Sequence, residues 1–267
     1  MSTGRNPNFD CKLVTGDVTI SEVVGSVARP FKPEVIYHLA ARIDVRHSVD
    51  DPFGDALTNV LGTINVLRAA VATGARRVVL TSSSAIYGEP RRLPVKEFDT
   101  SRPLSPYGVG KLAAELYLRQ FGILHGLEVV TLVIANAYGL RQSFDAGVIA
   151  VFTSAMRDGR PTYLFGDGNN SRDYVHVSDI VNALIASSHM PDAVGQRINI
   201  GTGKMATDRQ VHQLVAGALG IDAEPTWAPA RQGDLRAMAL DPTYASRILD
   251  WRPQVSLMDG ISHLCST

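Results

Sequence analysis

The sequence predicts an α/β protein built on a doubly wound parallel sheet. Three short runs rich in Val, Ile and Leu, at residues 35–39, 78–80 and 129–134, have the composition of strands buried on both faces. Two longer segments between them, residues 52–73 and 107–125, carry apolar residues at helical spacing. Strands that alternate with helices imply right-handed crossovers and a ligand site at the carboxyl ends of the strands.

The second half of the chain is less regular. Turn clusters occur at residues 166–168, 201–203 and 225–229. With 267 residues, of which 45% are hydrophobic, the chain can bury a large core. We therefore expect residues 1–140 to form the strand–helix domain, and residues 141–267 to form mainly a smaller lobe that is interleaved with returns to the sheet.

Composition argues against several classes of function. Basic and acidic residues number 26 each, so there is no net charge to attract nucleic acid or an anionic membrane. Cys11 and Cys265 lie far apart without a CxxC spacing or companion histidines, which disfavours a disulfide framework and a zinc site. The sequence has neither a signal-peptide pattern nor an apolar run of roughly 20 residues. We expect a soluble protein of the reducing cytoplasm, with no metal, nucleic-acid or membrane partner.

Tyr107 and Lys111 are candidates for acid–base chemistry. They are four residues apart in a predicted helix and therefore share one face. A free phenol titrates near 10, so a phenolate useful at pH 7 needs about 4 kcal/mol of preferential stabilisation. A nearby ammonium and a second positive charge could supply it. Taken alone the pair is a weak signal, because an exposed helix pair has the same spacing.

A hydroxyl cluster, Thr81-Ser82-Ser83-Ser84, directly follows the second predicted strand. That is where a site belongs in such a sheet. Three consecutive serines could instead form a strand-end turn that satisfies its own backbone.

The two motifs together resemble those of the extended short-chain dehydrogenases/reductases, specifically the NAD-dependent nucleotide-sugar epimerase and dehydratase family. SSSAIYG followed by SPYGVGKLAAE is similar to the Ser/Thr plus YxxxK signature of that family. The resemblance implies a Rossmann-like domain with a smaller substrate-binding lobe, bound NAD, and a catalytic set of Ser83, Tyr107 and Lys111. It also implies a homodimer.

Other segments resemble the cofactor-binding motifs of the family, namely GDVT, YHLAA, DVRHSVDDP and NVLGTINVL. By this resemblance, Asp17 contacts the adenine amino group and Asn59 orients the lysine through water. The remaining implied cofactor contacts are Leu39, Ala40, Ala41, Ser82, Tyr107 and Lys111. Taken singly, Asp17 could be only a turn or helix cap, and Asn59 only an exposed helix residue.

Three segments of the second half resemble the family's substrate-binding motifs. NAYGLRQ, FGDGNNSRDYVHV and RQGD imply that Asn136, Arg172, Arg231 and Asp234 contact a nucleotide-diphosphate sugar, together with Ser83 and Ser84. Guanidinium groups suit this task because they offer paired donors to phosphate oxygens. A lone arginine would more simply be a solvated side chain or a surface ion pair.

Ser84 and Ala85 decide which reaction the resemblance implies. Family dehydratases typically have Asp and Glu at these positions, and alanine can neither donate nor accept a proton. We therefore expect an NAD-dependent 4-epimerase of the UDP-glucose/UDP-galactose type and not a dehydratase. In that reaction Tyr107 takes the proton of the 4-hydroxyl, Ser83 assists, and NAD receives the hydride. A non-catalytic binding protein and a net reductase or oxidase are the alternatives.

The sequence departs from the family pattern at its start. The glycine-rich GxxGxxG element that holds the pyrophosphate does not occur, and residues 1–5 resemble the loop after the family's second strand. About 35 residues are absent relative to the pattern, which should leave two unpaired strand edges. An upstream start, a fragment or a natural variant would each account for this, and we favour the upstream start because everything after the loop matches. Val133 also replaces a family arginine.

Overall fold

The computed structural model describes residues 12–231 and 233–266. Its α-helices, in chain order, are α1 (Ser21–Phe31), α2 (Val45–Asp50), α3 (Pro52–Ala56), α4 (Gly62–Thr73), α5 (Pro106–His125), α6 (Val148–Arg157), α7 (Val177–His189), α8 (Asp208–Leu219), α9 (Thr243–Leu249) and α10 (Leu257–Ser266). Its strands are β1 (Val35–His38), β2 (Arg77–Ser83), β3 (Glu128–Ile134), β4 (Asn136–Tyr138), β5 (Tyr163–Phe165), β6 (Ser171–Arg172), β7 (Tyr174–His176), β8 (Arg197–Ile200), β9 (Ala206–Thr207), β10 (Thr226–Ala228) and β11 (Ala237–Met238). Residues 1–5 and Cys11, named above, lie outside the described residues.

A parallel four-stranded sheet, in the order β1-β2-β3-β8, forms the centre of the molecule. The three strands expected from apolar runs are confirmed as β1, β2 and β3. Helices cover both faces, because α4 and α5 pack on one side and α7 and α9 on the other. This is the predicted α/β architecture, and its β8 is contributed by the second half of the chain.

The outer side of β1 carries no paired strand among residues 12–231 and 233–266. An apolar cavity of about 390 Å³ lies next to it, lined by residues that include Val14, Val27 and Phe31. The free side of β1 is one of the two unpaired edges expected from the sequence, and residues 12–17 adopt no strand. On its other side the sheet ends at β8.

The helical segment 52–73 is interrupted by a π turn at Leu57–Leu61, between α3 and α4. By length and composition this segment also fits a membrane span, yet Leu67 and Ala70 are buried in the core beneath the sheet. The following helix, α5, begins at Pro106, with the Ser105 hydroxyl accepting from the Gly108 amide at 3.1 Å. Both helices end at a glycine with positive φ.

The second half of the chain also builds a separate apolar cluster. It lies among α6, α8 and α10 and includes Ile149, Phe152, Val211 and Ile261. Short strand pairs surround it, with β4 on β7, β5 on β10, and β6 between β9 and β11. The predicted turn clusters contain glycines at positive φ, such as Gly166, Gly168 and Gly203.

Candidate active site

Ser83 and Tyr107 meet at the carboxyl end of β2. Ser83 is the last residue of β2, and Tyr107 lies in the first turn of α5. A hydrogen bond between their side chains lowers the pKa of the Tyr107 phenol, but burial has the larger effect and the pKa is raised. A Cβ at Gly108 would lie 2.7 Å from the Ala85 carbonyl oxygen, so only glycine permits this close approach.

Lys111 lies one turn beyond Tyr107 on the same helix and is 5% exposed. Burial lowers its pKa to about 8, while the carboxylates of Glu115 and Asp55 act in the opposite direction. The buried ring of His38, at the end of β1, lies close enough to Lys111 for the two to interact. Burial, assisted by this ammonium, lowers the His38 pKa to about 4, so the imidazole is neutral at pH 7.

Asn59 lies in the π turn and is buried. Its side-chain oxygen accepts from the Arg42 amide at 2.9 Å, and its nitrogen donates to the Arg42 carbonyl and to Asp55 at 3.1 and 3.0 Å. Asn59 therefore fastens the loop after β1, which contains Leu39, Ala40 and Ala41, to the helix beside the site. The water-mediated role predicted for Asn59 remains a prediction.

Two other expected cofactor residues have local partners. The Asp17 carboxylate accepts from the Thr19 amide at 2.8 Å, as in a turn, and this contact lowers its pKa. The Ser82 hydroxyl is buried and donates to Glu115, which also accepts from Arg197 at 2.6–2.7 Å. The Ser82 side chain thus belongs to an interior network that joins α5, β2 and β8.

Arginines and carboxylates gather in the second half of the chain. The Arg231 guanidinium lies 3.2 Å from the ring centroid of Phe165. Asp208, at the start of α8, interacts with Arg172, Asp234 and Arg231, although burial is the main influence on its pKa and raises it. Of the four substrate contacts expected from the second half of the chain, three are therefore grouped around Asp208.

The fourth, Asn136, is exposed at the start of β4, where its amide donates to the Asp173 carbonyl at 2.9 Å. The Asp173 carboxylate is buried and accepts from the amides of Thr202, Gly203 and Leu240. It fixes the backbone next to Arg172.

The short helix α2 connects the two groups of residues. The Ser48 hydroxyl oxygen accepts from the Tyr107 amide at 3.1 Å, and the Arg46 guanidinium lies 3.7 Å from the Asp234 carboxylate. The positive charge of Arg46 also lowers the pKa of Arg231, on which burial has the larger effect. The buried Tyr107–Lys111 pair, at the carboxyl ends of the strands, is thereby placed next to an arginine cluster suited to an anionic ligand.

The sequence pattern of the GDP-mannose 4,6 dehydratase family matches residues 2–264. The chain belongs to this family of NAD-dependent epimerases and dehydratases. It is 43% identical to a UDP-glucose 4-epimerase of Mycolicibacterium smegmatis over 272 residues, which span 98% of this chain and 86% of that protein. The family resemblance noted in the sequence is therefore confirmed.

Solved structures of the family have the same fold. A UDP-glucose 4-epimerase with UDP-glucose from Thermotoga maritima matches with a TM-score of 0.91 and 36% identity, over 94% of this chain and 82% of that one. A UDP-glucose 4-epimerase complex with NAD from Thermus thermophilus matches with a TM-score of 0.88 and 36% identity, over the same shares of the two chains.

Sequence reasoning missed four charged residues that contact the expected site of this epimerase/dehydratase family member: Arg46, Asp55, Glu115 and Asp208. Helical spacing could have found two of them, since Asp55 precedes Asn59 by four residues and Glu115 follows Lys111 by four. Arg46 and Asp208 depend on contacts between distant parts of the chain. Among the residues that the structure describes, no group of three or more His, Cys, Asp or Glu is arranged to hold a metal ion.

Proposed function

We propose that the protein is an NAD-dependent nucleotide-sugar 4-epimerase that interconverts UDP-glucose and UDP-galactose. The observation that carries this proposal is the Tyr107 hydroxyl, hydrogen-bonded to Ser83 with the Lys111 ammonium one helical turn away. The names of the relatives described above support the substrate class.

In the proposed reaction, Tyr107 removes the proton from the sugar 4-hydroxyl. Burial raises the pKa of its phenol, so positive charge must offset this effect, and the Lys111 ammonium one helical turn away is the group that we propose for this task. Ser83 orients the same hydroxyl group through a hydrogen bond. Once the 4-keto sugar has turned, Tyr107 returns the proton to the C4 carbonyl oxygen while the hydride comes back to the opposite face of C4.

The residues at the carboxyl ends of β1 and β2 fit the nicotinamide–ribose end of a dinucleotide. Lys111 provides a buried ammonium, and Tyr107 a hydroxyl, at the edge where a parallel sheet binds nucleotides. Bound NAD would accept the hydride from C4 and give it back, which makes the reaction redox-neutral. We propose that the loop 39–41, Asn59, Asp17 and Ser82 make further contacts with the dinucleotide.

Arg172 and Arg231 are proposed to bind the diphosphate, and Asn136, Asp234 and Ser84 to bind the remaining polar groups of the nucleotide sugar. Phe165 lies under the Arg231 guanidinium, whose carbon is 3.2 Å from the ring centroid, and a planar guanidinium presents two parallel donors to phosphate oxygens. The carboxylates of Asp208 and Asp234 act against the burial that lowers the pKa of Arg231, and so balance part of its charge.

Ser84 and Ala85 favour epimerisation over dehydration. They form the turn Ser84–Tyr87 directly after Ser83, beside Tyr107. Loss of water from C5 and C6 needs a proton donor and acceptor there, and neither side chain carries a carboxyl group.

We also propose that the enzyme is a cytoplasmic homodimer. Leu61, Val109 and Leu116 are each about half exposed on the helical segment 52–73 and on α5, next to a groove formed by Pro52, Val60 and Pro106. Such an apolar helical face suits self-association. Light scattering of the purified protein should give twice the chain mass of 28.8 kDa.

The decisive experiment incubates the purified protein with NAD and UDP-glucose and follows UDP-galactose by chromatography. We expect an equilibrium mixture without net NADH. NADH formed in stoichiometric amount would instead identify a net oxidase, and stoichiometric consumption of added NADH a net reductase. A protein that binds no NAD at millimolar concentration would favour a non-catalytic role.

A further inference from the structure

Asp55 is a buried carboxylate beside the proposed catalytic helix. It lies in α3, immediately before the π turn, and is 1% exposed. Its Oδ2 accepts from the Asn59 side chain at 3.0 Å. Burying a carboxylate is costly unless it is paired or hydrogen-bonded, so its presence calls for a partner beyond one amide.

The second contact of Asp55 is with the segment between Tyr107 and Lys111. A Cβ built at Gly110 would lie 2.9 Å from Asp55 Oδ1 and 3.5 Å from the Cβ of Asn59. The carboxylate therefore lies directly against the backbone of α5, at the position just before Lys111. Only a glycine at residue 110 leaves this space to the carboxylate.

We propose that Asp55 is a positioning residue that keeps Lys111 in its ammonium form and holds Asn59 and the Tyr107–Lys111 turn in register. This inference rests on the proposed function and adds to it a residue and a role. Arg42, the other cation near Asp55, is already paired with Asp51 at 2.6 Å. Burial raises the pKa of the Asp55 carboxyl, and Asn59, Arg42 and Lys111 act in the opposite direction. With Arg42 paired to Asp51, Lys111 is the cation that this carboxylate faces along α5.

The charges around these groups define the expected pH behaviour. Arg42, Asp51 and Lys111 face Asp55, and Lys111 is faced by Asp55, Glu115 and His38. Glu115 is held by Arg197 from β8, and α2 contributes His47, which acts on Asp51. Asp55 also raises the pKa of Tyr107. Its negative charge therefore acts on both members of the pair, in the same direction.

The test is the pH profile of kcat/KM for Asp55→Asn, which removes the charge and keeps the shape. Without the carboxylate, Lys111 loses its proton at lower pH and Tyr107 ionises at lower pH. Both limbs should shift by about one unit to lower pH. The matched control is Asp50→Asn, the same change at an exposed position five residues earlier, whose profile should equal that of the wild type.

A purely structural role for Asp55 would lower the amplitude of the profile and leave both limbs in place, and that result would overturn the proposal. If Asp55→Asn does not fold, Gly110→Ala replaces it, because the added methyl group displaces the carboxylate from the helix. Its alkaline limb should also move to lower pH. Gly217→Ala, in a helix where an added Cβ meets nothing within 4 Å, is its control.

The two proposals fail differently. If the wild type itself forms no UDP-galactose, the proposed function is wrong. If the wild type is active and both variants retain its two limbs, the assignment of Asp55 is wrong while the function stands.

Discussion

His38 Nε2 lies 2.9 Å from Thr63 Oγ1, and the Thr63 hydroxyl donates its only hydrogen to the Asn59 carbonyl at 2.7 Å. The threonine oxygen can therefore only accept from the ring, which fixes the neutral Nε2–H tautomer of His38. A second proton would place a charge in the core next to the Lys111 ammonium.

The first prediction follows from this tautomer. The pKa of His38 is about 4 in the folded protein and near 6.5 in the unfolded chain. Its contribution to stability is complete above pH 6.5 and is lost as the pH falls towards 4, by about 1.4 kcal/mol per unit. In urea unfolding between pH 7 and 5, His38→Gln should show a shallower pH dependence than the wild type. His189→Gln, at an exposed position, should retain the wild-type slope.

The second prediction concerns the pair of the buried Glu115 and the half-buried Arg197. Glu115→Gln leaves the guanidinium without its charge partner, and we expect a loss of about 2 kcal/mol in the free energy of unfolding. Asp158→Asn breaks the exposed pair with Arg160 and should cost well under 1 kcal/mol. Equal losses in the two variants would show that the interior network adds nothing.

The third prediction tests the shape of the Arg231 side chain. Arg231→Lys keeps the charge but loses the flat stacking on Phe165 and the paired donors. Calorimetric titration with UDP should show an affinity about tenfold lower, which corresponds to ~1.4 kcal/mol. Arg247→Lys, an exposed arginine over Tyr244, makes the same change elsewhere and should bind UDP normally. Unchanged UDP affinity for Arg231→Lys would argue against a diphosphate contact.

The fourth prediction concerns Tyr107 itself. Tyr107→Phe should lower kcat by a factor of about 10² to 10⁴ and leave the melting temperature and UDP affinity near those of the wild type. Tyr117→Phe, a half-exposed tyrosine on the same helix, should be fully active. Near-normal turnover by Tyr107→Phe would remove Tyr107 from the mechanism.

Local signals were sufficient to predict the elements that carry the acid–base group. Apolar residues at helical spacing predicted α5, and the structure shows that Ser105 caps its start and Gly126 ends it. Apolar composition identifies β1 to β3. Because parallel sheets bind ligands at the carboxyl ends of their strands, Ser83 at the end of β2 was expected to lie in the same site as Tyr107. These inferences use residues that are neighbours in sequence or on one helical face.

Contacts between distant segments could not be predicted in this way. The strand β8, Arg197–Ile200, is short and begins with an arginine whose partner, Glu115, is on another element. The Arg46–Asp234 pair joins the two halves of the chain. Apolar spacing predicted one continuous helix over residues 52–73 and did not indicate the π turn around Asn59.

The missing side chain of Gly108 has a consequence for how the sugar must move. Because α5 touches the Ala85 carbonyl at this residue, the backbone that carries Tyr107 and the backbone that carries Ser83 cannot slide past one another. Tyr107 and Ser83 therefore keep fixed positions relative to one another during the proposed turnover. Inversion at C4 then requires the keto sugar to rotate while its diphosphate stays bound. Arg172 and Arg231, the residues proposed to bind the diphosphate, would hold it during this rotation.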